Sequence, residues 1–580
     1  MTPRTTTDWS TISLGLALLF APGEARAATP LANSPLGPIV AATAVAADGI
    51  DGAKGNRLAM LSGGYDALLL RVHLIRQASV SIDVQTFIWT NDEVGRLLMF
   101  ELIEAARRGV KVRIVADHLV SEQNPETIAF LATVHPNLEI KHYRPTASRM
   151  KPSLPQKLLA GLRSFHALNQ RMHNKVLIVD GTVLITGGRN IENTYFDHST
   201  RMNFRDRDVV AVGPVVRSAV ESFAQFWNYR YSVASRDLAD VEAVIAKGKF
   251  RRYETRADYD FGGFFADVER EADDAALIAE KFAARLKPVK SVAFICDEPG
   301  KTRGFFSRNA RITRELGQTL AQAKRSVVMQ TPYLVLSPAA RDLLRDLRQK
   351  NPGLRIRVSS NSFASTDNLF AYSGNYRLRN RYVGDLRMEV HEFKPQPGDL
   401  LWLIPRFPVV AELAAQRIAT RLQDAPPFVC IHAKSLVVDE RVAFVGSFNL
   451  DPRSENLNTE AGLLVEDEAF AAELLAEIER DMRPENSWVI ARRSLPLNLD
   501  AVNGLVGGIL SLSPLDVWPI QNTSSFELRD GATVLPPFDP AFHESYREVG
   551  PFPGSKGALS SGEILTRLYK AIGTPLTPIL

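Results

Sequence analysis

One ordered set of signals occurs in each half of this chain, and that repeat restricts the fold more than any other feature. In the first half, Ser81 to Ile88 alternates as a strand does. A helical stretch from about Val94 to Arg108 follows, with Leu97, Leu98, Leu102 and Ala105 at helical spacing. Gly109 stops it, and Val110 to Val115 alternates as the next strand. The second half repeats the series: a strand from Ser326 to Thr331, a helix from about Pro338 to Lys350, the breaker Asn351-Pro352-Gly353, and a strand from Leu354 to Val358. Strand, helix and strand in series give parallel pairing under covering helices, so the expected class is α/β. Two such halves predict two lobes related by a pseudo-twofold axis, each a mostly parallel sheet flanked by helices.

Each half ends in the same constellation. The first is His173-Asn174-Lys175, then Asp180, then Gly187-Gly188-Arg189-Asn190; the second is His432-Ala433-Lys434, then Asp439, then Gly446-Ser447-Phe448-Asn449. His and Lys two apart on a strand point to one face, so imidazole and ammonium converge on a single site. The apolar residues up to the aspartate carry the strand through a core. In the turn that follows, glycine permits close backbone approach, and the asparagine amide can serve a phosphate. Histidine near its ordinary pKa is a nucleophile when neutral and an acid when protonated, which suits double displacement. The alternative is two strand histidines with solvated lysines, and two complete copies of the pattern argue against it.

These two motifs resemble the signature of the phospholipase D superfamily. Within it, Arg171-Met172-His173-Asn174-Lys175, Gly213-Pro214-Val215-Val216, Asp297-Glu298-Pro299-Gly300-Lys301, the stretch from Ser360 to Asp367, and Gly446 through Ser454 are similar to bacterial cardiolipin synthases of the C type. The likeness runs from about Leu58 to Trp488. It implies two phospholipase D-like lobes with the active site at their interface. His173, the favoured nucleophile, and His432 would share the work, one attacking phosphorus to form a phosphohistidine and the other protonating the departing alcohol. Lys175, Lys434, Asn190 and Asn449, with Gly187, Gly188, Gly446 and Ser447 of the turns, would hold the phosphate. An acid after each motif would orient a histidine ring: Glu460 in one half, Asp206 in the other, with Asp208 as rival. Asp180 and Asp439 complete the catalytic motifs but are expected to fix the local fold. No cofactor and no metal is implied. The substrate is a phospholipid, phosphatidylglycerol alone or with a second lipid. The reaction is phosphatidyl transfer, with hydrolysis to phosphatidic acid as the alternative and nuclease action less favoured.

Composition narrows the rest. Apolar residues make up 45% and charged residues 23%, which is globular. Lys+Arg 69 against Asp+Glu 65 gives +4 over 580 residues, so no nucleic-acid partner is expected. Nothing identifies a protein partner. The two cysteines, Cys296 and Cys430, are read as buried thiols rather than a bridge. Arg4, the apolar run Ile12 to Ala21, and Ala25-Arg26-Ala27 read as a secretory signal, with export to the periplasm or the outer face of the inner membrane. The expected segments are a signal at 1–27, a linker at 28–55, lobes at 56–236 and 304–485, a connecting insert at 237–303, and an irregular extension at 486–580. Membrane contact would be peripheral. One candidate is the apolar stretch Leu400 to Val410, expected to be loop because of Pro405 and Pro408. It would either place Trp402 at headgroup depth with Arg406 near lipid phosphate or pack as a lid on its own lobe. A second candidate is the C-terminal helical face of Ile564, Leu565, Leu568, Tyr569 and Ile572.

Overall fold

The computed structural model describes residues 30–47, 55–119, 121, 124–163, 169–261, 265–301, 310–418, 427–493 and 522–554. The expected signal segment and the helical face near Ile564 lie outside them. Two large sheets carry the fold. The first runs, edge to edge, Lys287–Pro288, Arg57–Leu61, Asp208–Val212, Val183–Gly187, Val176–Val179, Ser81–Thr86, Lys111–Asp117, Leu138–Tyr143 and Ser232–Ala234. The second runs Ser291–Cys296, Ala461–Glu466, Val442–Gly446, Lys434–Val438, Ser326–Gln330, Arg355–Asn361, Glu389–Phe393, Ser487–Arg492, Thr523–Leu528 and Tyr546–Gly550.

The expected strand-helix-strand units form the parallel part of each sheet. Ser81 pairs parallel with Lys111, and Ser326 with Arg355. The connecting helices are Glu93–Arg107, capped by Asp92, and Pro338–Lys350, capped by Ser337 with proline in the first turn. The parallel part extends by one more strand in each sheet, Leu138–Tyr143 on Lys111–Asp117 and Glu389–Phe393 on Arg355–Asn361, and the remaining neighbours in the two sheets pair antiparallel, each motif strand folding back directly on the strand that ends in its glycine turn. Parallel pairing thus describes the strand-helix-strand cores, and the sheets as wholes are mixed.

The motif strands are buried on both faces, which explains their continuous apolar runs. Leu177 and Val179 face the helices of the first half, whereas Val176 and Ile178 meet Val437, Val445 and Leu463 of the other sheet. The two sheets therefore pack face to face through one shared core, and the two histidines enter from its rim.

Three stretches differ from expectation. Residues 30–47 of the expected linker hold a helix, Gly37–Ala47, and bury Leu31, Leu36 and Val40 against the first core. The insert is helical as expected, but its strand Ser291–Cys296 already belongs to the second sheet. The extension is not irregular throughout: Ser487–Arg492, Thr523–Leu528 and Tyr546–Gly550 add three antiparallel strands to the second sheet's edge.

The segment before the second motif is also corrected. It forms two short helices, Leu400–Leu403 and Phe407–Ile418. Pro408 is tolerated because the first turn of a helix needs no donor there. Leu403 and Ile404 enter a core with Phe393, Val429 and Ile431. Arg406 lies over Tyr65 and 3.6 Å from Asp267, so it ties this segment to the first half. Among the described residues, no helix is long and apolar enough to cross a membrane.

Candidate active site

The two halves exchange strands at the site. Phe428–Ile431, leading into His432, pairs parallel with Met202–Arg205, leading into Asp206. On the other side Met172, just before His173, bridges Thr459, just before Glu460. The backbone N–H of His173 donates to the Thr459 carbonyl at 2.9 Å, and that of His432 to the Arg205 carbonyl at 2.9 Å. This pairing fixes which acid serves which histidine. His173 Nδ1 lies 2.8 Å from Glu460 Oε2, and His432 Nδ1 lies 2.7 Å from Asp206 Oδ2. Each ring is thus oriented by a carboxylate from the opposite half. Asp208 is excluded from that task, because it holds Arg71 at 2.8 Å and Arg189 at 3.3 Å.

Both lysines are buried beside their histidines. Lys175 donates to the His173 carbonyl at 2.6 Å; Lys434 donates to the His432 carbonyl and its Nζ lies 2.7 Å from His432 Nδ1. The histidine faces are walled by aromatics: Phe87 stands edge-on to His173 at 4.8 Å between centroids, Tyr195 edge-on to His432 at 5.0 Å, and Phe204 lies at 4.6 Å.

Burial decides the protonation states. It lowers His173 to about 4, with Glu460 pulling the other way, and lowers His432 to about 4, helped by the Lys434 charge. Lys175 is held well below its ordinary value and Lys434 near 8, again first by burial. Burial opposes ionisation of both acids, but cationic neighbours prevail: Lys434 and His432 keep Asp206 below the usual carboxylate range, and His173 and Lys175 do the same for Glu460. Burial thus biases both imidazoles towards the neutral form, and the positive neighbours bias both acids towards the carboxylate.

The turn residues act differently from expectation. A Cβ on Gly188 would stand 2.0 Å from Asp206 Oδ1, and one on Gly187 would meet Asp208 Oδ1 at 2.3 Å. A Cβ on Gly446 would stand 2.5 Å from the Ala461 carbonyl oxygen, and Ser447 donates its hydroxyl to Glu460. These four residues accommodate or brace the segments that carry the acids; none is seen to present a free donor to a phosphate. Asn190 is committed as well, accepting from Ile88 N–H at 3.2 Å and donating to the Tyr195 hydroxyl at 2.8 Å, whereas Asn449 Oδ1 is buried without a partner among the described residues.

Asp180 and Asp439 are removed from the histidines, at the far ends of the motif strands. Both take positive φ, at 51° and 52°. Asp180 accepts the backbone N–H groups of Ser79, Val80 and Ser81, and Asp439 those of Lys324, Arg325 and Ser326. Each staples the start of the neighbouring strand, as the sequence led one to expect for the local fold, and neither joins the reacting centre.

Several neighbours of the site went unread. Ser454 donates to Glu460 Oε1 at 2.7 Å, and the Asp297–Lys301 ion pair holds the Glu460 N–H and the Ser454 carbonyl. Asn361 clamps the Ile431 backbone through two hydrogen bonds of 2.8 Å, immediately before His432. Tyr195 and Ser454 each stand five residues beyond their motif's asparagine, a register signal that was available. The cysteines stay free and buried; burial lifts Cys296 to about 12.

Comparison with known proteins identifies the family. The family model described as cardiolipin synthase, phospholipase D-like domain, matches residues 72–227 and 316–482. Cardiolipin synthase C of Escherichia coli (strain K12) is 30% identical over 71% of this chain and 81% of its own length. A protein of Helicobacter pylori (strain J99) without an assigned role is 30% identical over 74% of this chain and 79% of its own. The crystal structure of phosphatidylserine synthase from Haemophilus influenzae Rd KW20 aligns with a TM-score of 0.48 at 15% identity, over 73% of this chain and 86% of that one. With both motif regions inside the family match and a relative similar across most of both chains, the chain belongs to the phospholipase D superfamily of enzymes, in its cardiolipin synthase, phospholipase D-like domain family.

Proposed function

We propose that the enzyme moves a phosphatidyl group from one phospholipid to a hydroxyl of phosphatidylglycerol, as a cardiolipin synthase does. The observation that carries this reading is the crossed pairing of His173 with Glu460 and of His432 with Asp206. An imidazole whose Nδ1–H is held by a carboxylate presents its Nε2 lone pair outward. His173 Nε2 attacks phosphorus; the new P–N bond forms as the P–O bond to the leaving alcohol breaks, and His432 gives that oxygen its proton. In the second half the acceptor hydroxyl gives its proton to His432 as its oxygen displaces His173. Binding the phosphodiester anion raises the pKa of His432, which burial otherwise holds near 4, so the acid is charged by the substrate it serves. Lys175, Lys434 and Asn449 hold the non-bridging oxygens as charge builds on them.

Water competes with the lipid hydroxyl at the second step, and the product distinguishes the two. Purified enzyme in micelles containing phosphatidylglycerol should release glycerol and form cardiolipin. Accumulation of phosphatidic acid without cardiolipin would establish the hydrolase instead. Exposed Leu401, Trp402 and Val409, at 62%, 46% and 44%, support peripheral contact with a lipid surface. The apolar N-terminal run supports action outside the inner membrane.

A further inference from the structure

The repeat allows the two halves to be compared at the layer between sheet and first helix. Ser81 aligns with Ser326, so Arg71 falls on Leu316 and Val72 on Gly317. Arg189 of the first turn falls on Phe448 of the second. Asp208 and Gly462 pair with the equivalent glycines, Gly187 and Gly446. In the first half Arg71 and Arg189 converge on Asp208, and the space left beside Lys175 is a cavity of about 30 Å³. In the second half all three charges are gone, and the same place is an apolar cleft of about 200 Å³. Its walls include Leu316, Leu320, Met329, Leu436, Phe444 and Phe448. A Cβ on Gly317 would meet nothing within 4 Å. Phe448, Leu450 and Asp451, on either side of Asn449 in the chain, line the cleft, as do half-buried Ala340 and Leu343 of helix Pro338–Lys350 and Leu316 and Leu320 of helix Arg311–Ala321.

We propose that this cleft receives an acyl chain of the phospholipid on which the enzyme acts, an inference that rests on the phosphatidyl reading. An apolar hollow lowers stability in proportion to its volume, and the first half shows that this fold can close the space. An apolar cavity of about 150 Å³ is known to stay dry and take an apolar guest, so a cleft of this size admits a length of alkyl chain. The catalytic turn fixes the direction. Phe448 and Leu450, which line the cleft, flank Asn449 in the chain, so a lipid whose phosphate is held by Asn449 and Lys434 starts its chains beside the cleft. In the first half the equivalent place is taken by the Arg71, Arg189 and Asp208 side chains.

The test fills the cleft. Gly317→Leu adds a side chain into open space on a helix that tolerates it, and Ala340→Leu narrows the cleft from the opposite helix. kcat/KM is measured on dioleoyl and on dihexanoyl phosphatidylglycerol, alongside calorimetric binding of decanol. We expect both variants to melt no lower than the parent, to lose about tenfold on the long-chain lipid with the short-chain value held within about twofold, and to lose decanol binding. Equal losses on both lipids, or unchanged chain preference with unchanged decanol binding, would overturn the proposal. If the parent turns over neither lipid yet binds decanol in a manner that Gly317→Leu abolishes, the cleft stands as an alkyl site and the phosphatidyl reading is what has failed.

Discussion

The two histidines do the same job of holding an imidazole by its Nδ1, but the halves solve it differently. At His432 the partner is a short acid, Asp206. It approaches through the space left by Gly188 and is carried by a four-residue parallel ladder, Phe428–Ile431 on Met202–Arg205. At His173 the partner is the longer Glu460. It rests on the hydroxyls of Ser447 and Ser454 and on the buried Asp297–Lys301 pair, while the strand exchange shrinks to one bridge between Met172 and Thr459. Ser447 stands where the first half has Gly188. Backbone pairing positions one acid and side-chain bracing positions the other, so equivalent substitutions should not have equivalent effects.

Removing the rings tests the equality of the pair. His173→Ala and His432→Ala should each reduce turnover by about 10³-fold or more, with melting temperatures near the parent's. Quenched reactions should trap phosphate on His173; a phosphoenzyme mapped to His432 reverses the assignment. Turnover that persists in both variants sinks the mechanism.

The difference between the acids is sharpened by two single substitutions. Gly188→Ala drives a methyl into the Asp206 carboxylate and should cost about 10²-fold in kcat, whereas Ser447→Ala removes one of two hydroxyl supports and should cost about tenfold. Steady-state kinetics at matched lipid surface concentration decides it; equal losses would mean that the two acids are held alike.

Asp180→Asn and Asp439→Asn should leave kcat within about threefold but lower stability by about 1–3 kcal/mol in urea melts, since each carboxylate serves three or more donors. A large drop in kcat at unchanged stability would return these residues to the chemistry.

The smallest effect is on acid stability. His173, His391 and His432 sit near 4 and His142 near 3, all through burial, against about 6.5 for an unfolded histidine. Between those values the unfolded chain binds more protons than the native one. Stability from these groups is therefore complete above about pH 6.5 and is lost as pH falls through 4. Urea midpoints should decline as pH falls from 6 towards 4; a rise over that interval would contradict the buried, neutral imidazoles.

Much of this was legible in the chain because it rests on period and spacing. Residues at i and i+2 on a strand must share a face, so His173 with Lys175 and His432 with Lys434 were readable, as were the helices beside them. The crossing of the acids is a property of how the halves dock, and linear order only marks Glu460 and Asp206 as candidates. The turn glycines were assigned to substrate because sequence shows an absent side chain without showing what occupies its place. The strand Thr523–Leu528 begins Thr-Ser-Ser, and a polar, short run reads as coil until neighbouring strands supply its hydrogen bonds. Pro405 does lie in the turn between the two helices, but Pro408 reads as loop because proline is neutral in a helix only within its first turn, a position the sequence does not mark.

On the proposed mechanism, the crossed pairing leaves no room for half-activity. Prising the sheets apart at the Met202–Arg205 ladder would strip both imidazoles of their acids in one motion, before either sheet had melted. Heat inactivation should then track separation of the lobes rather than loss of secondary structure. Two lobes made as separate polypeptides should each be silent and recover turnover only on mixing.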